Sequence, residues 1–163
     1  MENGTRLIAL AFITLLAIAA GGSHASAQSG SILKGAWKAV DTGAGQNTNK
    51  IVGLAIFTDM HYSIMYFAEG IERPDITDVS KATADEMRAL WNGWVANTGT
   101  YDVNGDMVTI HPTGAKNPIV MKPGANEVYR YRVEGNTLSW TQQRNARGVA
   151  VTTAPTTKFV REE

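Results

Sequence analysis

From about residue 34 onward, apolar side chains recur mostly with a period of two, the rhythm of strands with one buried face. The pattern predicts strands over Lys34–Asp41, Lys50–Thr58 and His61–Glu69, the second of them apolar on both faces. The loop-forming composition of Thr42–Asn49 separates the first two, and Asp59-Met60 marks a tight turn before the third. The rhythm then changes. Met87, Leu90, Trp91, Trp94 and Val95 share one face at helical spacing, and Thr83-x-x-Glu86 is a capping box, so a helix is predicted over about Thr83–Ala96. Period two returns in Thr100–Val103 and Asp106–His111, joined by the hairpin signal Asn104-Gly105. A short strand at Ile119–Met121 and strands over Glu127–Glu134, Thr137–Arg144, Val149–Thr153 and Thr157–Arg161 complete the prediction.

The expected fold is mainly β: an antiparallel up-and-down barrel of about eight to ten strands with one inserted helix, because hairpins succeed one another at short, regular spacing. Closure removes exposed sheet edges. A small barrel of this kind holds either packed side chains or one small ligand.

The N-terminus follows a different pattern. Arg6 precedes an unbroken apolar run, Leu7 to Ala20, too short to span a bilayer comfortably, and Ala25-Ser26-Ala27 reads as a cleavage site. Residues 1–27 are therefore expected to be a cleaved signal peptide, with residues 28–163 forming one barrel domain in the periplasm or outside the cell. The chain contains no cysteine, which excludes disulfides and a thioether-linked lipid, so stability must come from the core.

Charge narrows the partners. Fifteen basic and fifteen acidic residues balance, and removing Glu2 and Arg6 with the leader keeps them balanced. With no basic stripe, nucleic acid is not an expected partner; with no basic amphipathic helix and no anchor after cleavage, neither is a membrane. Near-zero net charge favours self-association, so a homo-oligomer is compatible with the composition. Nucleotide, zinc-protease and serine-hydrolase motifs are absent, and no cofactor or metal is implied.

Several residue blocks together resemble the bacterial lipocalin-like domain proteins, small calycin-like barrels: Gly35-Ala36-Trp37, Phe57-Thr58 before His61-Tyr62-Ser63-Ile64-Met65, Arg73-Pro74, Asn97-Thr98-Gly99-Thr100-Tyr101, Ala115-Lys116-Asn117-Pro118 and Phe159-Val160-Arg161. The resemblance runs from about Leu33 to Glu163. It implies a barrel with a cavity for a small molecule, and it implies that Trp37 closes one end beneath Arg161. In lipocalins proper the helix follows the barrel, whereas here it is predicted between the third and fourth strands.

Candidate ligand-binding residues are His61, Tyr62, Met65, Tyr101, Tyr129, Arg130 and Tyr131. His61 and Met65 fall on one face of the third strand and Tyr62 on the other, and periodicity alone does not fix which face points inward. Arg130 alternates with Tyr129 and Tyr131; turned inward, it would hold a carboxylate bidentately, and turned outward it is solvated. The expected function is binding of a small hydrophobic or amphipathic molecule rather than catalysis. The alternatives are an isomerase- or cyclase-like enzyme using His61 or Tyr101 as acid–base groups, and a structural or interaction protein with a filled barrel. An intact-mass measurement on the exported protein is expected to place its N-terminus at Gln28; a full-length chain in the periplasm or medium would refute the leader.

Overall fold

A computed structural model describes residues 32–44 and 47–163; the expected leader and its cleavage site lie outside the described residues. Eight antiparallel strands close into an up-and-down barrel: β1 (Gly35–Ala44), β2 (Asn47–Phe57), β3 (His61–Ala68), β4 (Trp94–Asn104), β5 (Met107–Ala115), β6 (Glu127–Glu134), β7 (Thr137–Arg144) and β8 (Thr156–Arg161). Each strand pairs with its sequence neighbour, and β1 pairs with β8, from Trp37 opposite Arg161 to Gly43 opposite Thr156. One helix, α1 (Ala84–Trp91), lies between β3 and β4.

The period-two pattern decides what goes inside. Ile51, Ala55 and Phe57 of β2, Tyr62 and Ile64 of β3, Val108 and Ile110 of β5, Leu138 and Trp140 of β7 and Phe159 of β8 all join one buried cluster. Trp140 stands at its centre. It meets Phe57 and Phe159 edge-on, with ring centroids 6.1 and 6.0 Å away, and stacks on Tyr129 at 4.3 Å. Such offset and edge-to-face pairs are preferred because each ring has a negative face and a positive edge. Outside, Val52, Leu54 and Ile56 of β2 form an exposed apolar strip with Met65 of β3, and α1 does not cover them: it buries none of its residues.

One end of the barrel is sealed. Leu33 and Trp37 are fully buried there, and the Trp37 indole N–H donates to the Leu33 carbonyl at 2.6 Å. The Arg161 guanidinium lies 4.0 Å from the centre of the Trp37 ring and donates to the carbonyls of Ile32 and Lys34, both at 2.8 Å. Gly35 makes this approach possible. Its φ is +129°, and a Cβ there would lie 2.3 Å from the Glu163 carbonyl oxygen and 2.9 Å from Arg161 Nη1.

The structure corrects several local expectations. The helix ends at Trp91 instead of continuing to Ala96: Asn92 is already extended, Gly93 turns left-handed (φ +76°), and Trp94 and Val95 open β4 opposite Phe67 and Tyr66. Trp94 and Val95 extend the helical spacing by coincidence while also fitting the strand alternation. The stretch Thr42–Asn49 is no loop in its described part, because Thr42 pairs with Asn49 and Gly43 with Thr48. Ile119–Met121 belongs to a 3-10 turn, Pro118–Met121, where proline supplies no ladder N–H. Val149–Thr153 contributes only a single bridge, Ala150 to Arg144. Among the described residues the strand count is therefore eight.

Replacing Arg161 by alanine is expected to lower unfolding free energy by about 2–3 kcal/mol, below the full sum of a cation–π contact and two hydrogen bonds from a charged donor because water reaches both bonds. Arg161→Lys should recover less than half of that, since an ammonium cannot span both carbonyls while lying flat on the ring. Equilibrium denaturation measures both values, and an Arg161→Ala variant as stable as the parent would remove the seal from the account.

Candidate ligand-binding site

At the end opposite Trp37 the barrel is not filled. A cavity of ≈ 150 Å³ lies between Thr42, Ile64, Ile110, Trp140, Pro155 and Thr157. A wider pocket of ≈ 570 Å³ at the mouth reaches Trp91, Trp94, Lys116, Val120 and Glu127. Tyr66, Val95, Asn97, Tyr129 and Gln142 line both, which makes them inner and outer parts of one space. The inner part is as large as the engineered apolar cavities that take up one benzene ring.

The walls are apolar with polar groups at a few points, the usual make-up of a small-molecule site. Tyr62 donates through its hydroxyl to Asn97 Oδ1 at 2.6 Å, and Thr98 Oγ1 donates to the Tyr62 carbonyl at 2.8 Å. Thr42 and Thr157 share a hydroxyl contact at 3.2 Å. The densest polar group is built on β6 and β7. Glu127 Oε1 accepts from Gln142 Nε2 at 2.7 Å, and Glu127 Oε2 accepts from the Tyr129 hydroxyl at 3.3 Å. The β6 register shifts between Val128, opposite Arg144, and Tyr129, opposite Gln142; this irregularity sets Glu127 and Tyr129 together beside Gln142.

Burial governs the electrostatics of this group. It pushes the Glu127 carboxyl above its ordinary range, against the stabilising hydrogen bonds from Tyr129 and Gln142. The Tyr129 hydroxyl is held well above its usual range, first by burial and then by the negative charge of Glu127. Tyr62 and Tyr66 move the same way, again chiefly by burial. All three phenols therefore stay neutral wherever Glu127 titrates.

At the mouth, the Lys116 ammonium donates to the carbonyls of Trp91 and Trp94, the latter at 2.8 Å, and sits 5.3 Å from the centre of each indole ring. Partial burial lowers its pKa. The C-terminal turn of α1 is thus tied to the rim through Trp91.

The structure separates the sequence-derived candidates. Tyr129 faces the cavity. Tyr62 lies inside and does not line the cavity itself, but its hydroxyl bonds Asn97, which does. Tyr101 and Tyr131 also point inward, but they close the core away from the cavity: Tyr101 donates to the Thr58 carbonyl at 2.7 Å and Tyr131 to the Gly105 carbonyl at 3.1 Å. The inward placements of His61 and Met65 are corrected, and Arg130 takes the outward of its two alternatives. His61 and Met65 are exposed on the outer face of β3, because Tyr62 and Ile64 take the inner face. His61 serves the β2–β3 turn, its backbone N–H donating to Thr58 Oγ1 at 3.0 Å. Arg130 is exposed and pairs with Asp106 at 3.1 Å. His61 and Tyr101 lie on opposite sides of the barrel wall, so they form no common acid–base pair. Trp37 and Arg161 meet at the sealed end. Among the described residues, no group of three or more His, Cys, Asp or Glu side chains is arranged to hold a metal.

Sequence reasoning missed Tyr66, Val95, Asn97, Glu127, Trp140 and Gln142. For Glu127 the signal was present: period two from Tyr129 and Tyr131 places it on the inner face.

No known family model matches this chain, and no curated protein matches it in sequence. The closed barrel of eight antiparallel strands with one helix is compatible with a lipocalin-like fold.

The raised pKa of Glu127 has a defined consequence for stability. A carboxyl with a higher pKa folded than unfolded contributes stability that is full below its unfolded pKa and is lost as pH rises through the folded value. Glu127→Gln is accordingly expected to raise the melting temperature at neutral pH and to change it little at about pH 3.5, below the ordinary glutamate value. Thermal denaturation across that range measures it. An equal effect at both ends would mean that the carboxyl's charge is not what costs stability.

Proposed function

We propose that this chain is an exported, lipocalin-like binding protein that takes one small, partly apolar molecule into the open half of its barrel. The observation that carries the reading is the coincidence of void and polarity. The inner cavity, the wider mouth and the Glu127–Tyr129–Gln142 group occupy the same end, while the other end is packed solid beneath Trp37 and Arg161. A barrel serving only as structure gains nothing from a buried carboxyl beside empty space, since both cost stability. The volumes favour a ligand with a single ring or short branched chain inside and a polar end near the mouth. The candidate leader supports export, and the quoted sequence blocks support lipocalin-like descent.

Native mass spectrometry of the protein recovered from its own periplasm or medium tests the reading. The wild type is expected to carry a non-covalent small-molecule mass. Val95→Trp, placed where the inner and outer spaces join, should lose it while melting within about 3 °C of the parent, as a mouth substitution costing under about 1 kcal/mol would. A wild type that is consistently empty, or a Val95→Trp protein that is still loaded, counts against the site.

A further inference from the structure

We propose that the cavity selects a ligand with a protonated amine on a compact aromatic or apolar body, the ammonium seated against Glu127 and the body in the inner cavity. This rests on the reading of the open barrel end as a small-molecule site. Glu127 is only 9% exposed and is the buried acidic side chain among the described residues. Among those residues, no Lys, Arg or His side chain lies within ion-pair distance of it; the ion pairs of the barrel are all elsewhere. Buried carboxylates are normally matched by a cation. Here the bonds from Gln142 and Tyr129 use one acceptor position on each oxygen, and a carboxylate offers about four. An ammonium has three donors to place on what remains.

The surroundings favour the same ligand. Tyr66 and Tyr129 line both the inner cavity and the mouth, and Trp140, in the wall of the inner cavity, stacks on Tyr129 at 4.3 Å. Aromatic faces attract a cation, most strongly where water is excluded. The phenols near Glu127, those of Tyr62, Tyr66 and Tyr129, are neutral and do not compete for the ammonium. The cation at the rim, Lys116, is already held by two carbonyls and two indole faces. An anionic ligand would meet the Glu127 charge, and a neutral one would leave it uncompensated.

Isothermal titration calorimetry at about pH 7.5 with three probes of one shape, 2-phenylethylamine, 2-phenylethanol and phenylacetate, separates the possibilities. The amine is expected to bind about tenfold or more tightly than the alcohol or the acid. In Glu127→Gln the amine should lose its advantage and bind no more tightly than the alcohol. Equal binding of all three by the wild type, tighter binding of the acid, or an amine preference that survives Glu127→Gln overturns the amine inference and leaves the cavity as a binding site. No binding of any probe overturns the cavity reading as well.

Discussion

Arg161 lies flat on Trp37 and reaches past it to the carbonyls of Ile32 and Lys34, so the last strand of the barrel is clamped to the chain that leads into the first. The β1–β8 ladder that closes the sheet ends at this point, with Trp37 opposite Arg161. Without it, β1 and β8 would be two free edges and the inner faces would have no common core. Gly35 permits the contact through a backbone conformation and a closeness that a Cβ would forbid. Because the seal is tight at one end, space and access are left to the other.

The aromatic side chains set how much space that is. Phe57, Tyr62, Tyr101, Trp140 and Phe159 pack edge-on or stacked across the barrel, and Trp140 divides the filled part from the hollow part. Beyond Trp140, inward positions change character: Asn97 on β4, Glu127 on β6, Gln142 on β7 and Thr157 on β8 replace the larger apolar residues nearer the seal. Each has a hydrogen-bond partner, so the polar end is organised rather than left raw. Backbone irregularity serves the same end of the site. The β4–β5 ladder shifts at Gly99, where a Cβ would lie 2.1 Å from the His111 carbonyl oxygen, and β6 shifts at Tyr129 beside Glu127.

Much of this fold is legible in the residues. Asn104-Gly105 and Gly135-Asn136 mark hairpins because glycine meets the left-handed turn geometry there, and alternation picks out the strands on either side. The capping box is legible for the same reason: Thr83 and Glu86 satisfy each other's backbone N–H groups within one turn. What is not legible is anything decided by pairing across the sheet. Trp94 and Val95 fit both helix and strand spacing, and only hydrogen bonding with β3 assigns them to the strand. Likewise β3 is apolar enough on both faces that His61 and Met65 could be drawn inside. Their neighbours Tyr62 and Ile64 win because a bulky aromatic and a β-branched side chain bury more apolar surface than an imidazole and a thioether would.

Glu127 sharpens the relation between this fold and its proposed use. It shares the inner face of β6 with Tyr129 and Tyr131, where a leucine or phenylalanine would fit the same alternation without any charge to desolvate. The chain keeps a carboxyl there, supplies Gln142 and Tyr129 as donors to it, and leaves the adjoining volume open. Each of these choices weakens the isolated barrel: the carboxyl by its burial, the void by the dispersion contacts its walls forgo. Elsewhere the core is packed with aromatic and branched side chains, so the chain has the means to fill space and leaves it open here. A stability cost concentrated beside a polar group that can hold a counter-charge is what recognition of a charged small molecule requires, because the same desolvated carboxyl that destabilises the empty barrel gains most when a cation arrives.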